Sequence, residues 1–483
     1  MLNLKLKNIL KDVDVEEIIN FKNYDIRSIT HISADVEKSS MFICIEGQNF
    51  DGNDYAEVAV SCGAKCVVSN KKLDIKNATI VIVKDVRIAM SMIAKNYYHR
   101  VCDKLKIIGV IGTSGKTTTS TLIASFLRKK DNNIGVIGTN GIFIGDLKLD
   151  NKFTTPDPLE LHYIFFQMHL MGVKTVVMEV SAQAIYLHKL FGIMFDICVF
   201  TNISKEHLDF FETMENYVRC KMSFFHPKNM IECVINVDDF YGMELAYKSL
   251  IPCVTYAIKE PANSFAIDIK LSLDGSSFVA NILDEIIEVN SIMVGEFNVY
   301  NLLASMTVAK MLNMTADEIS DAVNNLKPID GRFNVFEFDN KKIIVDFAHT
   351  PDSIEKTLSV VKHFSTGKII TLFGCVGYSD KEKRKEMSMM VDKYSDYIII
   401  STDNRGTTPF QEICDDMIAG IVKCDHIAIE ERSDAIKYGI EMLSNGDILC
   451  VLGKGAENFQ KINEERIEYS DLEVVKRLLK DNI

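Results

Sequence analysis

The chain has 483 residues, of which 47% are hydrophobic and 25% charged, with a formal net charge of −13. That length predicts about three domains, the balance excludes a disordered chain, and the negative charge excludes a broad basic face for nucleic acid or an anionic membrane. Twelve cysteines without a CxxC pair read as reduced core thiols, and no apolar run reaches the ~20 residues that cross a bilayer. The expectation is a cytoplasmic monomer with small-molecule partners.

Within residues 1–102, short apolar runs at 41–45, 65–69 and 80–83 predict strands. A helix is expected over 55–62, with Gly63 as its C-cap, and together these make a small α/β unit. From 103 to 329 strands recur at 106–108, 135–138, 175–179, 197–200 and 233–236 with helices between them, the pattern of a parallel sheet covered on both faces. Polar residues cluster at the carboxyl ends of these strands: Thr113, Glu179, Ser181, Thr201, Asn202, Asn236 and Asp238. Shorter alternating runs over 252–291 predict a meander, and a helix over 299–312 carries Asn298 and Asn301 in its first turn. From 330 to 483 a third series has strands at 343–346, 369–373, 397–400 and 448–452. Each of these ends in polar or glycine-rich sequence, at Asp346–His349, Gly374–Gly377, Thr402–Asn404 and Gly453–Gly455. A doubly wound sheet places its ligand at such strand ends.

The stretch that carries most chemistry is Gly109-Val-Ile-Gly112-Thr113-Ser114-Gly115-Lys116-Thr117-Thr118-Thr119, between the first central strand and a helical stretch over 120–129. A glycine-rich turn before a helix points backbone N–H groups at a phosphate. Lys116 would reach the β- and γ-phosphates and Thr117 would ligate Mg²⁺, although Val110 stands where the strict motif has glycine. Glu179 and His207 follow neighbouring strands, and a carboxylate with an imidazole suits a second divalent ion.

Those stretches, with Thr154-Thr-Pro-Asp157, Glu179-Val-Ser-Ala-Gln183, Thr201–Asp209, Tyr217-Val-Arg-Cys-Lys221, Gly295–Asn301, Gly331-Arg332, Val345–Pro351 and Gly453-Lys-Gly-Ala-Glu457, resemble the Mur ligase family over nearly the whole chain. The resemblance implies an α/β, three-domain architecture. An N-terminal UDP-sugar-binding domain would span 1–102, a central P-loop parallel-sheet domain that binds ATP 103–329, and a C-terminal Rossmann-like domain that binds an amino acid 330–483. The implied activity is ATP-dependent addition of an amino acid to UDP-N-acetylmuramoyl-L-alanyl-D-glutamate through an acyl phosphate, in peptidoglycan synthesis. Two alternatives stay open: a related ligase for another carboxylate, and a nucleotide-gated binding protein without catalysis.

By the same resemblance, Lys116, Lys221 and His207 are catalytic, and Lys221 is the position where CO₂ makes a lysine carbamate. Gly112, Thr113, Ser114, Gly115, Lys116, Thr117, Thr118, Asn301, Arg332 and Asp346 bind the nucleotide. Thr117, Glu179, His207 and Lys221 hold Mg²⁺, and His349 lies by the interdomain cleft. Ser33, Thr154, Thr155, Ser181 and Lys189 meet the UDP-muramoyl substrate, while Asp403, Asn404, Arg405, Gly453 and Glu457 meet the amino acid.

The chain also departs from the family. Ile32-Ser33-Ala34 replaces Asp-Ser-Arg, and Lys189 replaces an arginine. Asp403-Asn404-Arg405-Gly406 replaces Asp-Asn-Pro-Arg, and Val376-Gly377-Tyr378-Ser379-Asp380 lacks the arginine of Gly-Gly-Asp-Arg-Asp. The last two changes predict that meso-diaminopimelate is not the preferred amino acid, with Arg432 a candidate for the α-carboxylate. Residues 328–331 are the expected hinge for closure of the third domain.

Overall fold

The computed structural model describes residues 2–47, 50–149, 153–377, 381–463 and 465–481. The N-terminal unit is a five-stranded sheet in the spatial order Val15–Ile19, Thr79–Val83, Cys66–Ser69, Ser40–Ile43, Ser28–Thr30. Only its first strand is antiparallel to its neighbour. The helix Ala56–Cys62 ends at Gly63 as the sequence predicts. The helix Val86–Tyr97 opens with the Asp85 side chain accepting from Arg87 N and Ile88 N, an N-cap that satisfies two otherwise orphaned donors. This helix ties the unit to the next, since Lys95 Nζ donates to Gly192 O at 2.6 Å and pairs with Asp103 at 2.6 Å.

The central sheet has eleven strands, and Lys106–Ile111 lies near its middle. Seven consecutive strands, from Ile134–Gly138 across to Ser264–Ser272, run parallel. Antiparallel hairpins close both margins, with Gly141–Ile144 and Leu147–Leu149 on one side and Gly275–Ile282 and Glu285–Ser291 on the other. The sheet is therefore mixed at its edges, and the 253–257 segment, expected in the meander, instead pairs in parallel with Met230–Asn236. Its inner strands are buried along their length, as in Ile134–Gly138 and Thr175–Val180, which is why they read as continuous apolar runs.

Two helices start earlier than their sequence pattern suggests. The phosphate-loop helix is Lys116–Leu127 and the asparagine-bearing helix is Glu296–Met311. In each, a glycine with positive φ, Gly115 at +87° and Gly295 at +93°, turns the chain directly into the helix. No polar N-cap side chain announces the start. The two helices lie against each other on one face of the sheet, with Ser305 Oγ donating to Thr119 O at 3.3 Å.

The C-terminal unit is a six-stranded sheet in the order Asn334–Phe338, Lys341–Asp346, Ile448–Leu452, Ile369–Phe373, Tyr397–Ile400, Asp425–Ala428. After an antiparallel first pair all its strands are parallel. The last long strand lies between the second and third, so the loops at the strand ends open onto a crevice. Among the described residues no helix is long and apolar enough to cross a membrane.

Candidate active site

The phosphate loop is held from below by the end of the neighbouring strand Phe195–Phe200 and by the helix Met214–Ser223. Asn202 accepts from Ser114 N at 3.0 Å and donates from Nδ2 to Ser114 O at 3.0 Å, and Thr201 Oγ1 also donates to Ser114 O at 2.7 Å. Thr113 Oγ1 meets Tyr217 OH at 2.9 Å. Asn301 reaches the loop from its own helix, accepting from Thr119 Oγ1 at 3.1 Å. A β-carbon on Gly115 would stand 2.6 Å from Asn301 Oδ1. Lys116 curls over the loop, donating to Gly112 O at 3.0 Å and Thr113 O at 2.7 Å. Thr118, in the first helical turn, is buried.

Thr117 is the meeting point of three elements. Its hydroxyl donates to Glu179 Oε2 at 2.9 Å and accepts from Arg332 Nη2 at 2.9 Å. Glu179 is itself buried, with Oε1 accepting from Thr139 N at 2.7 Å and Oε2 from Thr139 Oγ1 at 3.1 Å. Gly138 is required beside it, because a β-carbon there would fall 2.2 Å from Glu179 Oε1. The Arg332 guanidinium stacks 4.5 Å from the Phe347 ring centroid. Asp346 faces its own unit, accepting from Phe333 N, Ala348 N and Thr357 Oγ1.

A second cluster lies on the other side of the loop. The Lys221 ammonium group sits 4.5 Å from the Tyr217 ring centroid, and the residue is 2% exposed. Burial, reinforced by the charge of Lys116, drives its pKa far below the ordinary lysine value. His207 is likewise pushed down by burial, against the pull of Glu206. Glu206 stands 3.6 Å from both His207 Nε2 and His349 Nε2. Burial alone would raise its pKa, but His349, His207 and Lys116 outweigh that and hold it ionised. Because His349 belongs to the third unit, this carboxylate joins two units. Two further contacts run alongside, Lys205–Glu386 at 2.6 Å and Ser204 Oγ to Asp352 at 3.3 Å.

Toward the N-terminal unit, Thr155 Oγ1 donates to Glu179 O at 2.9 Å and accepts from Ser181 N at 3.1 Å, while Thr154 Oγ1 meets Thr139 Oγ1 at 3.1 Å. Ser181 caps the helix Ala182–Tyr186. Lys189 pairs with Asp157 at 2.7 Å and lies 4.5 Å from the Phe153 ring centroid. Ser33 opens a 3₁₀ turn, two residues after His31, whose ring feels the charge of Asp157.

In the third unit Asp403, Asn404, Gly453 and Glu457 converge, and Lys454 is buried among them, 2.8 Å from Glu457 Oε2 and 3.4 Å from Asp403 Oδ1. Arg405 is turned aside. It donates from Nη1 to Thr408 O at 3.2 Å, and its Nε lies 3.8 Å from Glu430. Tyr378, Ser379 and Asp380 lie outside the described residues. Arg432 is not in the crevice as a ligand: it is fully buried and bidentate to Asp471 at 2.8 Å, with a further bond to Leu452 O. Its Nε and Nη2 are spent on Asp471 and Leu452 O, while Nη1 is buried with no hydrogen-bond partner among the described residues, an arrangement that speaks against the expected α-carboxylate contact.

Profiles described as Mur ligase family catalytic domain, Mur ligase middle domain and Mur ligase glutamate ligase domain match residues 25–99, 110–309 and 331–455. A protein of Clostridium acetobutylicum named UDP-N-acetylmuramoyl-L-alanyl-D-glutamate–2,6-diaminopimelate ligase 1 is 35% identical over 99% of this chain and 100% of its own. A 2,6-diaminopimelate ligase of the same name, without the numeral, from Caldanaerobacter subterraneus subsp. tengcongensis is 36% identical over 99% and 100%. The chain belongs to the Mur ligase family. A solved structure of such a diaminopimelate ligase is 28% identical, with a TM-score of 0.71 over 100% of this chain and 99% of that one. MurF from Acinetobacter baumannii shares the fold, with a TM-score of 0.66 at 17% identity over 99% and 98%.

In this Mur ligase the four expected Mg²⁺ ligands fall into two sets, Thr117 with Glu179 and His207 with Lys221. Among the described residues no three His, Cys, Asp or Glu side chains are grouped to hold a metal. The residues nonetheless fit Mg²⁺, which takes oxygen donors and completes its shell with phosphates and water. The buried Thr117 hydroxyl and Glu179 carboxylate are such donors, and a carbamate on Lys221 would be another. Sequence reasoning passed over Glu206, Thr139 and Lys454. Thr139 ends a central strand, so the strand-end rule that found Glu179 was the signal for it. Glu206 precedes His207 in a stretch already singled out.

Proposed function

We propose that this Mur ligase joins UDP-N-acetylmuramoyl-L-alanyl-D-glutamate to the amine of a diamino acid, by way of an acyl phosphate made with ATP, as a cytoplasmic monomer. A carboxylate resists attack by an amine because oxide is a poor leaving group. Transfer of the γ-phosphoryl group to it replaces oxide with phosphate, which the amine then displaces. The observation that carries the reading is the Thr117 hydroxyl shared by Glu179 and Arg332, because it gathers the phosphate loop, a central strand end and the third unit on one atom.

In this reading Lys116 and the loop amides hold the phosphates, and Arg332 supplies planar donors from the hinge side. Thr117 with Glu179, and His207 with a carbamate on Lys221, would hold Mg²⁺, which would supply charge neutralisation. Burial, with the charge of Lys116, lowers the Lys221 pKa and so favours the neutral amine, the form that reacts with CO₂, which supports a carbamate there. Thr154, Thr155, Ser181, Ser33 and Lys189 serve the nucleotide-sugar substrate across the units 1–102 and 103–329, and residues 330–483 admit the amino acid. Relatives named diaminopimelate ligases support a diamino acid. The engagement of Arg405 with Thr408 and Glu430, and of Arg432 with Asp471, favours one without a distal carboxylate, since a buried unpaired carboxylate costs several kcal/mol.

The test is phosphate release with ATP, UDP-muramoyl dipeptide and equal meso-diaminopimelate, L-lysine and smaller amino acids. Release needs all three substrates, favours lysine, and vanishes in Lys116→Ala with the melting temperature unchanged. Turnover by folded Lys116→Ala removes the phosphate-loop assignment, and a strong preference for meso-diaminopimelate removes the argument from Arg405.

A further inference from the structure

Lys454 is a fully buried cation of the third unit, set among Asp403, Asn404 and Glu457, that the reaction scheme leaves without a task. Its side chain is 0% exposed. It stands between Gly453 and Gly455, whose φ angles of +114° and +52° are ones that other residues rarely adopt. Burying an ammonium group is costly unless every charge and donor is matched. Here its three protons meet three oxygens: Glu457 Oε2 at 2.8 Å, Asn404 Oδ1 at 3.3 Å and Asp403 Oδ1 at 3.4 Å. No donor remains for a substrate, so Lys454 is not itself a ligand for one.

We infer that Lys454 is a positioning residue of the amino-acid pocket, setting the Asp403 and Glu457 carboxylates as one acceptor for the incoming diamino acid's distal ammonium group. The inference rests on reading this crevice as the amino-acid site. Glu457 Oε2 takes two donors, Lys454 Nζ and Asn404 Nδ2 at 3.0 Å. Asn404 is fixed in turn by Lys461 N, which donates to its Oδ1 at 2.9 Å. With Oε2 pinned twice, Oε1 of Glu457 is, among the described residues, the oxygen left to accept, and Oδ2 of Asp403 is left in the same way. One ammonium among two carboxylates leaves the pocket one negative charge in excess, which a substrate cation balances and a neutral side chain does not. The same loop adjoins the hinge, where a β-carbon on Gly331 would fall 1.9 Å from Ala456 N.

The experiment is steady-state kinetics on the full-length enzyme with L-lysine and meso-diaminopimelate as amine probes. Lys454→Met is expected to raise the amine KM about tenfold or more, leaving the KM for ATP and for UDP-muramoyl dipeptide within about twofold. Lys454→Met combined with Glu457→Gln is expected to be no worse than Lys454→Met alone, because both remove the same preset acceptor. An unchanged amine KM overturns the inference, as does a parallel rise in all three KM values, which is the mark of a merely structural lysine. If Lys454→Met fails to fold, Lys454→Gln, which keeps a donor without the charge, carries the test with the same outcomes. Glu457→Gln alone separates the two levels. An unchanged amine KM there removes the reading of the crevice, whereas a raised KM there with an unchanged one in Lys454→Met overturns only the role of Lys454.

Discussion

Replacing Glu179 with glutamine changes one atom and removes one charge. In the native protein its two oxygens take three bonds, from Thr117 Oγ1 at 2.9 Å, Thr139 N at 2.7 Å and Thr139 Oγ1 at 3.1 Å. Glutamine keeps an oxygen for Thr139 N, and its amide donates to the two hydroxyls, which rotate to accept. Bonds to a charged group are worth about 1.5–3 kcal/mol and neutral ones about 1 kcal/mol. Over three bonds the exchange therefore costs at least about 1.5 kcal/mol of stability, or a few degrees or more of melting temperature for a unit of about 200 residues. Activity falls much further, by about 10²–10³-fold, because a preorganised charge at the phosphates is lost. Glu179→Gln should also need more Mg²⁺ for half-maximal rate. The assay is phosphate release across a Mg²⁺ titration, with a parallel thermal melt. A folded variant within about threefold of the native rate at every Mg²⁺ concentration refutes the placement of Glu179 at the metal.

Lys221→Ala should be nearly inactive and partly restored by acetate or formate, and the native enzyme should lose activity in carbon-dioxide-free buffer and regain it with bicarbonate; full activity without either addition removes the carbamate. Arg432→Met should lose about 3–5 kcal/mol of stability, as when one partner of a buried ion pair is removed, while the folded fraction keeps its amine KM. A raised KM without a lower melting temperature would return Arg432 to the pocket. His162, 1% exposed, is held by burial and then by Lys95 at a pKa of about 3, down from 6.5. Below pH 6.5 the unfolded chain binds a proton that the folded one refuses, so this contribution is whole above 6.5 and is lost by about 1.4 kcal/mol per pH unit below it, down to about 3. The stability of His162→Leu relative to native should therefore improve by about that amount between pH 7 and 5.5, as read by urea melts, and a constant difference contradicts it.

The phosphate loop was legible in the sequence because strand, glycine turn and helix are consecutive in the chain and each has a local signature. The positions of Glu179 and His207 beside the phosphate loop were legible because a doubly wound sheet brings its strand ends together at one edge. Helix starts at Lys116 and Glu296 were not, since a positive-φ glycine rather than a polar cap begins each. The bridging role of Glu206 was hidden too, because His207 and His349 come together only when the third unit docks. Arg432 looked available for the same reason: its partner Asp471 lies 39 residues on, and no spacing rule links them. Lys454 read as part of a glycine-rich turn, and only its burial shows that its charge is spent on Asp403 and Glu457.

The central claim is that the acceptor carboxylate is activated as an acyl phosphate, its own oxygen leaving with phosphorus when the amine attacks. UDP-muramoyl dipeptide carrying ¹⁸O in both oxygens of its glutamyl side-chain carboxylate, turned over with ATP and L-lysine, reports this directly through mass spectrometry of the released phosphate. An acyl phosphate predicts one ¹⁸O in each phosphate, carried by the carboxyl oxygen that leaves with phosphorus. Unlabelled phosphate with label retained in the peptide or passed to AMP would contradict it.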